Sequence, residues 1–297
     1  MLPPQRARHM DVSNTVDVTD PTAVIIALRH ILDVRYPGFD FTPVDTLVDD
    51  FGRLYAGEYP GYQACDTTYH NVQHVLDVTL AMARLIDGHD GSCATKDQLG
   101  AELALTGVAC ALFHDAGYIR RNGDNRATNG AAYTRIHVSR SARFMAEHFP
   151  HVGLQMILPV CKRIVHFTGY EVNPEKIKVR SDKERTLGAL LGTADLIAQM
   201  ADVEYVKKCH DNLYVEFEAG GMAGDNGMEG YAGKVFRSPR HLLESTPNFI
   251  RTAIEVRLDG YFKGVYRYAA EHFKGPNLYM EGIDHNCREL ELLLATG

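Results

Sequence analysis

The sequence predicts an all-α protein, a multi-helix bundle of roughly eight to twelve helices. Three observations carry that prediction. Apolar residues recur at three- and four-residue spacing along most of the chain. Period-two runs rich in β-branched residues, the mark of strands, are nearly absent. At 45 % hydrophobic and 23 % charged residues over 297 positions, the composition is that of a globular chain and sets aside disorder, collagen and coiled coil.

The elements follow in order. Residues 1–20 are polar, carry Pro3-Pro4 and show no apolar period, so they read as a flexible N-terminal tail. Residues 21–297 read as one domain, with a core over 65–200 and a C-terminal helical extension over 201–297. TAVIIALRHILDVRY and the stretch Val44 to Tyr55 have the helical period. YPGYQACDTTY is a loop, from which Asp66 or Thr67 can cap the next helix, NVQHVLDVTLAMARLIDG, ending at Gly88. DGHDGS reads as a surface turn, leaving His89-Asp90 in solvent. ELALTGVACALF is a buried helix running into His114, followed by the polar, Gly- and Asn-rich loop GYIRRNGDNRATNG. Further helices are expected at about 132–148, 153–166, 183–217, 239–247, 249–273 and 278–295. The second of these ends near His166, and His210-Asp211 falls on a polar, solvated stretch of the third. The Gly-rich piece over 218–233 reads as a mobile loop able to close over a substrate.

Charge and composition narrow the function. Thirty-one Lys and Arg against 38 Asp and Glu give a net charge of -7, with no basic patch for nucleic acid and no basic amphipathic helix for a membrane surface. No run of 18 or more apolar residues crosses a bilayer, and the N-terminus lacks the apolar core of a secretory signal. Six cysteines without a CxxC pair suit reduced thiols, hence a cytoplasmic protein. An anionic substrate would therefore need a local attractor.

Fourteen histidines are present, and a few of them fall where metal chemistry would place them. His70 and His74 in YHNVQH lie four apart at a helix start and project from one face. His114-Asp115 in ALFHDAG ends an apolar helix, with Gly117 letting the chain turn. His137 and His166 follow, and Asp195 sits inside the apolar run LGALLGTADLIAQM, where a buried carboxylate must be paired or bound to metal. A cation on His74, His114, Asp115 and Asp195 would have two imidazoles and two carboxylates, a donor set for Mn, Mg, Fe, Ni or Zn. Asp115, with two oxygens, can bridge to a second cation on His137 and His166. One or two divalent ions would hold an anionic substrate on a net-negative protein and supply a nucleophile from water at neutral pH.

The order His…His-Asp…Asp resembles the HD-domain metal-dependent phosphohydrolases. YHNVQH with ALFHD is similar to the catalytic domain of the cyclic nucleotide phosphodiesterases of the same superfamily. The resemblance spans about 65–200. It implies an HD-type helical domain that cleaves a phosphomonoester or phosphodiester, nucleotides among the candidate substrates. His70 would be the general acid, His74 a ligand, and Asp115 both ligand and part of the catalytic centre. Tyr118 stands where the cyclic nucleotide enzymes have a histidine. Asn71, Arg120 and Arg121, with Arg126 beside them, are candidates to orient or grip a phosphorylated substrate. His137 and His166 also resemble the extra histidines of HD-type diiron oxygenases, which makes that activity the alternative. A non-catalytic metal-binding sensor is a further one. GYFKGVYRYAAEHF is read as core and not as a ligand platform.

Overall fold

A computed structural model describes residues 6–223 and 236–296. The described residues contain no strand, only isolated bridges such as Tyr62 with Arg121. Helix α3 (Val72–Ser92) is the centre. Its residues from Val75 to Ile86 are all buried, because α1 (Pro21–Arg35), α4 (Ala101–Leu112), α7 (Asp182–Ala201) and α11 (Tyr268–Phe273) pack around it. A helix that is apolar on every face has to be enclosed in this way. Helix α2 (Thr42–Ala56) packs on α1 and α4, and α5 (His137–His148) and α6 (Leu158–Ile164) close the side near α4. The chain then runs through α8 (Tyr205–Lys208), a π-helical turn Cys209–Leu213 and α9 (Tyr214–Ala219). It finishes with α10 (Pro239–Thr252), a π-helical stretch Ala253–Tyr261, α11 and α12 (Leu278–Thr296).

Helix α3 does not stop at Gly88 but continues to Ser92. The reason is packing. A Cβ at Gly88 would stand 1.8 Å from the Tyr268 carbonyl oxygen, so glycine here admits α11 and does not end the helix. His89-Asp90 is accordingly buried, at 5 % and 1 % exposure, and not in a solvated turn. Asp90 accepts hydrogen bonds from His89 Nδ1 (2.7 Å), Tyr36 Oη (2.7 Å) and the backbone of Leu99 (2.8 Å) and Gly100 (2.9 Å). It is a structural anchor between α1, α3 and the start of α4. His210-Asp211, by contrast, is exposed as the sequence suggests.

The expected tail is also tied down over its described part. Asp11 is 1 % exposed and pairs with the buried Arg84 of α3 at 2.5 Å, while Val18 joins the core. The expected single helix over 183–217 breaks after Ala201, where Asp202 leaves helical geometry. The expected break near 247 is absent, since α10 runs through Pro247. The helix expected over 249–273 is instead interrupted where Lys263 and Gly264 adopt left-handed φ of 57° and 71°. The tyrosines and phenylalanines of GYFKGVYRYAAEHF pack on or within the core, Phe262 at 0 % exposure. Most of the loop expected to close over a substrate, 218–233, lies outside the described residues.

Candidate metal centre

Three separate helices deliver the central side chains. Asn71 caps α3, its Oδ1 accepting from the backbone N–H of His74 at 3.3 Å, and this sets His74 in the first turn. His114 and Asp115 follow the C-terminus of α4, just before the 3₁₀ turn Ala116–Tyr118. Gly117 lets that turn press on α5, since a Cβ there would lie 1.9 Å from the His137 carbonyl oxygen. Asp195 projects from the middle of α7.

These side chains converge. His74 Nε2 is 3.4 Å from both Asp115 Oδ2 and Asp195 Oδ1. His114 Nε2 is 3.3 Å from Asp115 Oδ2 and 3.7 Å from Asp195 Oδ1. Donors at about 2.0–2.2 Å from one small cation are themselves roughly 3–3.6 Å apart, so the spacing suits a shared ion. The other carboxylate oxygen, Asp115 Oδ1, is 3.6 Å from His137 Nε2. Asp115 thus turns one oxygen toward His74 and His114 and the other toward His137.

The chemistry of the donors fits a cation as well. His114 Nδ1 donates to the Ala111 carbonyl and His137 Nδ1 to the Thr134 carbonyl, each at 2.7 Å. A carbonyl only accepts, so the proton is on Nδ1 and Nε2 is left as a lone-pair donor facing the cluster. His114 Nε2 and Asp115 Oδ2 are buried and have no hydrogen-bond partner. Buried polar atoms are rarely left so, and a bound ion satisfies both. Electrostatics point the same way. Burial works against a charge on His74, yet the adjacent carboxylates of Asp115 and Asp195 outweigh it and raise its pKa to about 10. Burial would raise the two carboxylates, yet the surrounding imidazoles hold both well below the usual range. The cluster demands positive charge, which protons meet when no metal does. Metal binding couples to proton release on this account.

His70 stands at the rim, its ring centroid 5.6 Å from that of His74. Its Nδ1 is held by a short hydrogen bond to Glu216 of α9. The Glu216 carboxylate also accepts from the backbone of Tyr69 at 2.7 Å and of His70 at 3.3 Å. Burial would lower the His70 pKa, but Glu216 and Asp115 overcome this and lift it above the ordinary value. His70 and Asp195 are 16 % and 17 % exposed at the side chain, against 1 % and 2 % for His114 and Asp115, so the centre opens on the His70–Asp195 edge. A cavity of about 340 Å³ beside Asn71, lined also by Tyr55 and Cys65, does not include the ligand cluster. Donor chemistry, and not cavity size, locates the centre.

His166 occupies the 3₁₀ turn Val165–Phe167; among the described residues no ion pair joins it to Asp115, while the charge of Glu171 bears on both His166 and His137. The Asn71 side chain accepts from the His74 N–H and donates to the Thr68 carbonyl, which makes it the cap of α3. Arg120 is paired with Asp66 at 2.7 Å and the Ala127 carbonyl, Arg121 with Glu147, and Arg126 with Asp124 at 3.4 Å. These arginines pin surface loops together. Two residues of the site escaped the sequence reading. Glu216 lies in YVEFEA, where an acidic residue on an apolar stripe is the one available hint and the partner is 146 positions away. Tyr118 was legible as a departure from a pattern but not as a contact.

A family model described as Npun_R2479-like matches residues 122–268. No curated protein matches the chain in sequence. Among the solved structures that match are two that cover almost the whole of it. One is the phosphodiesterase domain of the RhoPDE fusion protein from the choanoflagellate Salpingoeca rosetta, at a TM-score of 0.53 and 12 % identity, covering 98 % of this chain and 96 % of that one. The fold is that of a phosphodiesterase domain. A second structure of the Salpingoeca rosetta rhodopsin phosphodiesterase domain agrees, at a TM-score of 0.54 and 12 % identity, covering 97 % of this chain and 91 % of that one. The phosphodiesterase-domain fold therefore takes in the C-terminal third, which the motifs over 65–200 did not reach. Among the described residues no helix is long and apolar enough to cross a membrane.

Proposed function

We propose that the protein is a metal-dependent phosphoric ester hydrolase acting on a small phosphorylated substrate, a phosphomonoester or phosphodiester. The observation that carries the reading is the pair of orphaned atoms, His114 Nε2 and Asp115 Oδ2, set among His74 and Asp195 beside a histidine held by a buried glutamate. His74, His114, Asp115 and Asp195 would hold one divalent cation, and Asp115 Oδ1 with His137 would face a second. Such cations supply positive charge for phosphoryl oxygens and acidify water at neutral pH.

The chain's own residues do the rest. His70 at the open edge keeps its Nδ1 proton on Glu216, leaving Nε2 to carry a proton toward the departing ester oxygen. The Glu216 carboxylate favours the imidazolium form of His70 and lifts its pKa above the ordinary value. Purified protein stripped with chelator and reloaded with Mn, Mg, Fe, Ni or Zn tests the reading on bis-p-nitrophenyl phosphate, p-nitrophenyl phosphate and nucleotides. Metal-restored hydrolysis supports it. Iron-specific oxygen uptake without hydrolysis would replace it by the diiron oxygenase reading, which His137 beside Asp115 motivates.

A further inference from the structure

The ring of Tyr118 is buried, at 1 % exposure, and stacks on two imidazoles at once. Its centroid lies 4.5 Å from that of His70 with the planes 18° apart, and 4.5 Å from that of His137 with the planes 17° apart. The two imidazole centroids are 6.3 Å apart. Each imidazole donates through Nδ1, to Glu216 for His70 and to the Thr134 carbonyl for His137. One hydrogen bond fixes one edge of a ring and leaves it free to rock about that bond. A face contact removes this freedom, and near-parallel stacking at this separation is a favoured arrangement of aromatic rings.

We propose that Tyr118 is a positioning residue whose ring sets the planes of His70 and His137 together. It thereby aims the free nitrogen of the proton donor and that of the imidazole facing Asp115 Oδ1 into one centre. The inference rests on the reading of His70 as proton donor given above. The local fold explains how the ring comes to be there. Gly117 lets the 3₁₀ turn Ala116–Tyr118 lie against α5, and the Gly117 N–H donates to Ser141 Oγ at 2.8 Å, so the next residue is carried under both histidines. An aliphatic side chain of similar size would fill the volume but offer no flat face.

The test compares wild type, Tyr118→Phe and Tyr118→Leu, loaded with Mn²⁺ for kinetics on bis-p-nitrophenyl phosphate and with Zn²⁺ for NMR. Tyr118→Leu is expected to lose about 10- to 100-fold in kcat at unchanged KM, with at least one metal ion per chain still bound, the scale of a catalytic group displaced by a fraction of an ångström to an ångström. Tyr118→Phe, which keeps the ring, recovers most of that loss. In ¹H–¹³C spectra of the histidine Cε1–H groups, two resonances, assigned by their absence in His70→Gln and His137→Gln, keep their ring-current positions in Tyr118→Phe and move in Tyr118→Leu. If Tyr118→Leu does not fold, Tyr118→His and Tyr118→Met take its place, the first retaining both resonance positions and the second shifting them. The proposal is overturned if the aliphatic variant leaves both resonances where they were, turns over like wild type, or is matched in its loss by Tyr118→Phe. If wild type itself hydrolyses no ester, the functional reading fails, while the resonances still decide the role of the ring.

Discussion

Replacing Glu216 by glutamine isolates the proton donor. The native carboxylate accepts from His70 Nδ1, from the Tyr69 N–H at 2.7 Å and from the His70 N–H at 3.3 Å. Glutamine can keep the two backbone bonds through its carbonyl oxygen, so the local fold should survive. Its amide then faces His70 Nδ1 with a donor, and the imidazolium loses its counter-charge. A charge-assisted hydrogen bond contributes about 1.5–3 kcal/mol. At about 1.4 kcal/mol per decade, this predicts a loss of about 10- to 150-fold in kcat. The sign with pH follows from the partner removed. Burial alone lowers the His70 pKa, and Glu216 is the first of the groups that raise it. Activity that needs protonated His70 falls as pH rises through that pKa, so Glu216→Gln should bring the fall to lower pH. The loss should be larger for an alkyl ester, whose leaving oxygen needs a proton, than for a p-nitrophenyl ester. Steady-state rates on both esters across pH, with bound metal measured on the same samples, make the assay. Equal losses on both esters, or losses explained by missing metal, would refute the reasoning.

Further predictions concern the cluster and its frame. Asp115→Ala removes the carboxylate between His74, His114 and His137 and should abolish both metal content by elemental analysis and hydrolysis, whereas His70→Ala should keep the metal and slow turnover. Metal uptake should release protons into weakly buffered solution, because the proton that Asp115 and Asp195 hold on His74, up to about pH 10, must leave; uptake without release would contradict the cluster's electrostatics. Asp11→Ala leaves Arg84 buried without its partner and should cost about 3–5 kcal/mol in denaturant unfolding. Burial raises the Asp11 carboxyl, but Arg84 and its hydrogen bonds hold it below the ordinary value, so its contribution is complete above 3.8 and is lost as pH falls through the lower, folded value. Acid titration of wild type and Asp11→Ala should therefore converge at low pH. Gly117→Ala should either unfold the protein or displace His137, since its Cβ would stand 1.9 Å from the His137 carbonyl oxygen, and a thermal midpoint and metal content equal to wild type would count against that contact.

Local pattern determined the secondary-structure class and much of the candidate ligand set. Helical periodicity marked the buried helices, and the apolar surroundings of Asp195 and of His114-Asp115 marked carboxylates that need a partner, because burial of charge is costly wherever it occurs. The same logic failed where burial came from a distant element. Gly88 reads as a helix stop until Tyr268 of α11 is seen to fill the space beside it, and His89-Asp90 reads as solvated until Leu99 and Tyr36 close over it. Residues 6–20 look loose without knowledge of Arg84, and Arg120 and Arg121 look available without knowledge of Asp66 and Glu147. Glu216 and the stacking of Tyr118 depend on the path of the whole chain, which brings α9 and the turn after α4 to one histidine. Sequence determined which side chains carry charge, lone pairs and apolar surface. Tertiary structure alone decided which of them meet, because a hydrogen bond or stacking contact is set by separation in space, and separation along the chain does not encode it.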